Sequence, residues 1–236
     1  MAISIDLFNW ERRAEALLNT LATKARSIAR SEAFTPGGKL EQWERVKDTY
    51  SNDVDDLAAE LRFARRGAEQ VMDYARAAAV GEAPDPAKPD VGVELAVARL
   101  LARHEQWDVN AVTETLDPIM GTQTAAVFMD ELVKRGSVDV DLLESLLEKL
   151  NPSIEQARTV EKYALTLVNS VLQPVLEELE ELLDRGPLAA AVSGGGDIHR
   201  KARASMAETA GTGTFTVAEN GKYTVNTDRL AGVANV

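Results

Sequence analysis

The tetrapeptide Thr35-Pro36-Gly37-Gly38 separates two long amphipathic runs and constrains this chain more than any other stretch of it. Upstream, Leu7, Trp10, Ala14, Leu17, Leu21 and Ile28 recur at steps of three, four or seven, with Asn19, Lys24 and Arg26 among the polar positions between them. Downstream, Trp43, Val46, Tyr50, Val54, Leu57, Leu61, Ala64, Ala68, Val71 and Ala75 form a second stripe. This spacing predicts an amphipathic helix on each side. Proline removes a donor and fixes φ, and two glycines permit reversal, so the helices fold back as an antiparallel hairpin from Leu7 to Ala79, seam to seam. At 1.5 Å per residue each helix reaches about 45 to 60 Å. A rod of that length exposes its seam unless a later helix or a second copy of the chain covers it.

A later helix is present. Asn151-Pro152-Ser153 places Asn at a helix cap and Pro at the first helical position, where its missing N–H costs nothing. Ile154, Ala157, Tyr163 or Ala164, Val168, Val171, Val175, Leu179 and Leu182 carry the apolar stripe of a helix over 152–185, which Gly186-Pro187 ends. Pro174 lies inside it and predicts a kink near Ser170, because the ring clashes with the carbonyl one turn back. Between hairpin and third helix, shorter helices are expected at about Val91 to His104, Val109 to Leu116, Thr122 to Arg135 and Val140 to Leu150. Asp108 and Asp139 are their candidate N-caps and Gly136 a C-terminal glycine.

The C-terminal stretch differs in kind. Thr214-Phe215-Thr216-Val217-Ala218 and Lys222-Tyr223-Thr224-Val225-Asn226 flank Glu219-Asn220-Gly221 and predict a β-hairpin. A two-residue Asn-Gly turn would scatter Phe215, Val217, Tyr223 and Val225 over both faces. A three-residue loop with Gly221 left-handed pairs Val217 with Tyr223 and Phe215 with Val225 on one face, and is preferred. A lone hairpin is marginal in water, so it should dock on a helix or extend a partner's sheet.

The expected fold is mainly α. A helical hairpin spans 1–80, a Pro-rich linker 81–90, a helical domain including the long helix 91–185, an Ala/Gly-rich connector 186–197, and a tail with the β-hairpin 198–236. With 236 residues and 45% hydrophobic content the chain can bury a sizeable core. Thirty-eight Asp and Glu against 26 Lys and Arg give a net charge of −12, which works against direct nucleic-acid binding. Residues 91–150 carry −6 of it. The absence of cysteine removes disulfides, thiolate metal sites and cysteine nucleophiles. No basic and then apolar leader opens the sequence, and no apolar run approaches the ~20 residues of a membrane span. A cytoplasmic protein without membrane contact is expected.

Motifs for chemistry are sparse. Asn52-Asp53-Val54-Asp55-Asp56 clusters oxygens as calcium sites do, but the sixth and twelfth places of an EF-hand loop hold Leu57 and Phe63, so a solvated helix face is the better reading. Asp139-Val140-Asp141 reads as a helix start. His104 and His199 belong to no His-Glu-x-x-His or Glu-x-x-His pattern, and His104 reads as a helix C-terminal cap. Ser193-Gly194-Gly195-Gly196-Asp197-Ile198-His199-Arg200-Lys201 could cradle a phosphate, yet it lacks a P-loop ending and Asp197 would repel an anion, so it reads as a connector. There is no Gly-x-Ser-x-Gly elbow. Glu177-Glu178-Leu179-Glu180-Glu181 reads as a solvated face, and Trp10, Trp43 and Trp107 as anchors of the core or the seam. A helical hairpin with a tryptophan near its turn is similar in outline to the small substrates of type VII secretion, which carry Trp-x-Gly between two helices. Here Trp43 is followed by Glu44-Arg45.

The sequence thus implies no catalytic residues, metal or cofactor. It implies a structural or assembly protein that self-associates or packs into a larger particle, for example as a virion component. Its interaction residues would be Trp10, Leu17, Leu21, Trp43, Tyr50, Leu57 and Leu61 on the seam, with Phe215, Val217, Tyr223 and Val225 on the hairpin. An acidic adaptor for a basic protein partner is the alternative, and an enzyme built around His104 or His199 the third reading.

Overall fold

The computed structural model describes residues 4–81, 85, 87, 88, 90–190 and 213–226. The glycine-rich tract 193–201 with His199, and most of the Pro-rich stretch 82–89, lie outside these. Strand β1 (Ser4–Asp6) runs straight into α1 (Leu7–Arg30), with Asp6 serving both. Its carboxylate accepts the N–H of Phe8 at 3.1 Å and of Asn9 at 3.3 Å, which satisfies donors that have no partner inside the helix. At the hairpin turn the Thr35 hydroxyl accepts the Gly38 N–H at 3.1 Å, and α2 (Pro36–Glu69) starts with proline at its first position. The expected single helix to Ala79 is interrupted at Gln70, whose backbone opens to φ −97°, ψ −2° within the right-handed region, and α3 (Val71–Val80) follows. Gln70 is neither glycine nor proline, so the local sequence carried no mark of this break.

The chain divides into two compact units, Met1–Glu69 with Lys162–Val236, and Gln70–Glu161. The division falls at the α2–α3 junction and inside α8 (Pro152–Leu167), not at the Pro-rich stretch. The reason in the first unit is long-range packing. The last helix, α9 (Gln173–Ala190), lies against both α1 and α2, and covers their seam from within the chain. Trp10, Ala14 and Leu21 of α1, Trp43, Val54, Leu57 and Leu61 of α2, and Val175, Leu176 and Leu179 of α9 are buried.

Two prolines shape the helix that provides this cover. Ahead of Pro174 the chain widens into a π-helical segment, Val168–Leu172, in which the Gln173 N–H bonds the Val168 carbonyl five residues back. The interruption is centred on Ser170, whose carbonyl faces the missing Pro174 donor. Downstream, Gly186 adopts φ 78°, ψ 176° and ends the helical geometry before Pro187. Pro187 cannot donate to the Leu183 carbonyl, and the indole N–H of Trp43 does so instead at 3.1 Å.

The three-stranded sheet has the order β1-β2-β3, antiparallel throughout, with β2 at Thr214–Ala218 and β3 at Tyr223–Asn226. Val217 pairs with Tyr223 and Phe215 with Val225 across a three-residue loop in which Gly221 has φ 78°, the register expected from the apolar pattern. β1 was not anticipated. It pairs Ile5 with Val217 and Asp6 with Thr216, so the hairpin gains a third strand from its own chain. Phe215 and Val217 are fully buried, with the Phe215 ring 6.1 Å from that of Phe8 and 5.7 Å from that of Tyr163.

The second unit holds α3, α4 (Val91–Leu101), α5 (Val109–Leu116), α6 (Gln123–Lys134), α7 (Val140–Leu150) and the start of α8. Its helix starts follow the cap residues: Asp90 accepts the Gly92 N–H at 2.8 Å, Asp108 the Ala111 N–H at 2.8 Å and Asp139 the Asp141 N–H at 3.2 Å. Gly136, at φ 63°, ends α6 as expected. Leu116, Ala125, Phe128, Leu132, Leu143 and Leu147 are buried at its centre.

Candidate functional site

The residues singled out on the seam are mostly interior. Trp10, Leu21, Trp43, Leu57 and Leu61 are buried, and Leu17 and Tyr50 half-buried. The two tryptophans each place an indole N–H on a backbone carbonyl: Trp10 on Leu57 at 2.9 Å and Trp43 on Leu183. Tyr50 lies beneath Lys24, whose Nζ is 5.6 Å from the ring centroid. On the sheet, Phe215 and Val217 face inward, while Tyr223 and Val225 are half-buried on β3.

Two open grooves flank the seam. The first, of about 320 Å³, lies between α1 and α2 and is lined by Arg13, Leu17, Asp53, Asp56, Leu57 and Glu60. Arg13 pairs with Glu60 at 2.5 Å across it. Asp53 and Asp56, from the oxygen-rich stretch, therefore sit on a solvent-facing helix side beside a guanidinium. Among the described residues, no group of three or more His, Asp or Glu side chains is placed to hold a metal ion. The second groove, of about 240 Å³, lies between α2 and α9 and includes Arg62, Arg65 and Glu180, with Arg65 bonded to Asn169 at 2.5 Å.

In the second unit, His104 stacks on the edge of Trp107 at 4.9 Å between centroids, and Trp107 on Phe128 at 5.3 Å. Trp107 is thus an anchor, and His104 rests on an aromatic ring next to that core. An ionic cluster joins three helices: Arg76 of α3 pairs with Glu144 of α7, and Arg158 of α8 reaches Glu144 at 3.4 Å and Glu148 at 2.6 Å. Glu161 borders it. Burial raises the Glu161 carboxyl above its ordinary value and Asp73 adds to this, while Arg76 and Arg158 pull it down.

A carboxyl raised in the folded state contributes stability below its ordinary value and loses it as pH rises through the folded value. Glu161→Gln is therefore expected to raise the melting temperature at pH 7 and to make no difference at pH 3. Solvent screening at this half-exposed site limits the gain to on the order of 1 °C. Thermal melts at the two pH values test this, and a gain at pH 3 would contradict it.

Surface apolar groups are the remaining feature. Phe34 and Leu40 are exposed on either side of the hairpin turn, and Val91, Leu95, Val109, Val133 and Val140 are exposed in the second unit. The sequence reading did not single these out, because it gave the short helices after residue 90 ranges and caps but no apolar faces. Among the described residues no helix is long and apolar enough to cross a membrane. No protein-family model, no curated protein and no solved structure matches this chain.

Proposed function

We propose that this chain is a non-enzymatic structural or assembly protein, which packs helical surfaces against further copies of itself within a homo-oligomer or larger particle such as a virion. The observation that carries this reading is the set of exposed apolar side chains on the second unit, above all Val91 at 77% and Leu95 at 52% exposure one helical turn apart. Large apolar side chains exposed side by side on one helix offer a place for protein contact. The contact surface proposed differs from the seam named from sequence, because α9 already occupies that seam. Sedimentation velocity over a concentration series tests the reading. A mass that rises above the monomer is expected, and a monomer at the highest soluble concentration overturns it.

A second reading has its own support. Residues 70–161 hold 17 acidic against eight basic side chains, so the second unit accounts for −9 of the net −12. That charge suits an adaptor that captures a basic protein partner. Such binding would weaken steeply with added salt, whereas apolar self-association would not.

A further inference from the structure

α4 is apolar on two sides. Val97, Leu100 and Leu101 are buried in its own unit, which is all that a surface helix requires of its apolar stripe. A second set, Val91, Leu95 and Ala98 of α4 with its C-cap residue Ala102, is exposed, at successive steps of four, three and four residues. Those steps are the d-a-d-a seam of a two-stranded coiled coil, with Leu95 and Ala102 at a, and Val91 and Ala98 at d. The flanking positions are charged. Glu94 precedes Leu95 at g and Arg99 follows Ala98 at e. Both are exposed, and neither takes part in an ion pair among the described residues.

The geometry points to a second copy of this chain as the occupant of this face, with the two α4 helices parallel about a two-fold axis. In a parallel pair, g of one helix lies beside the e position five residues later on its partner, so Glu94 of each copy meets Arg99 of the other, twice by symmetry. In an antiparallel pair g meets g and e meets e, so with the whole stripe in register Glu94 lies beside Leu101 and Arg99 beside Gly92, and the opposite charges do not meet. The charge pattern is thus self-complementary in the parallel direction, which suits a second copy. The stripe is only about 16 Å long, short of an ordinary stable interface, so the contact is weak and concentration-dependent. This inference rests on the assembly reading and names the surface that reading requires.

The test uses the full chain in sedimentation velocity, with circular dichroism to confirm folding. Glu94→Arg and Arg99→Glu are each expected to weaken self-association roughly tenfold, and the double exchange to restore it to within about threefold. Because the chain has no cysteine, Ala98→Cys adds a single thiol, and its oxidation is expected to give a disulfide-linked dimer where Val140→Cys gives none. If the unaltered protein is monomeric at every concentration, both the assembly reading and the α4 contact are overturned. If it associates, but neither Leu95→Asp nor either charge exchange changes this, the assembly reading stands and the α4 contact falls. If the double exchange is as weak as the single ones, the parallel pairing is wrong.

Discussion

Trp43→Ala is expected to lower the unfolding free energy by about 3–5 kcal/mol and the melting temperature by about 10 °C. The side chain is 1% exposed and fills the space between α2 and the end of α9, where Gly186 leaves room beside the indole. Its deletion empties that space and also strips the Leu183 carbonyl of the donor that Pro187 cannot supply. Trp43→Phe separates the two effects. It keeps most of the ring and loses the bond, so it should cost about 1–3 kcal/mol, the range for a buried acceptor left unpaired. Urea titrations of the three proteins decide this. Equal losses for Phe and Ala would mean that the hydrogen bond, not the filled volume, carries the effect.

Gly67→Ala is the second large effect, and it acts on the docking of the sheet. A Cβ at Gly67 would overlap the Ala218 carbonyl oxygen and come within 2.7 Å of Val217 Cγ1. Neither atom can yield easily, because Val217 is fully buried and held by Ile5 on one side and Tyr223 on the other. Either α2 or β2 must move, at a cost of about 1–3 kcal/mol or more. Gly37→Ala is the matched control. A Cβ there meets nothing within 4 Å, and in the first turn of α2 the exchange should stabilise by about 0.5–1 kcal/mol. Opposite signs for the two glycines are the expected result. Hydrogen exchange at Phe215 and Val217 should accelerate in Gly67→Ala alone, and unchanged protection there would mean that the sheet does not depend on this close approach.

Where short-range chemistry decides an element, the sequence was readable. Asp108 and Asp139 cap helices because a carboxylate fits orphan N–H groups, and Pro174 disturbs the turn around Ser170 because it has no donor. The register of β2 and β3 followed from putting Phe215, Val217, Tyr223 and Val225 on one face. What escaped reading depends on residues far apart in the chain. Ser4-Ile5-Asp6 is too short to declare itself a strand, and only its pairing with residues 216–218 makes it one. The cover of the hairpin seam was open for the same reason: periodicity marks a face as apolar without saying what lies on it. For α4 the pattern carried a second signal. Val91, Leu95 and Ala98 sit at seam spacing away from Val97, Leu100 and Leu101, and a test for two apolar faces on one helix would have found them.

The arrangement of the two units also sets an order of events during synthesis. Residues 70–161 are contiguous and can close their core as soon as they leave the ribosome, whereas the other unit joins residues from both ends of the chain. Until residues 173–183 emerge, α1 and α2 have no α9 to cover them, and Ile5 has no Val217 to pair with. The nascent hairpin thus spends the translation of more than a hundred residues with its apolar seam open, a long loop closure that should make this unit the slow step of folding. A chain cut short before α9 would expose that seam permanently, as a substrate for chaperones or for aggregation.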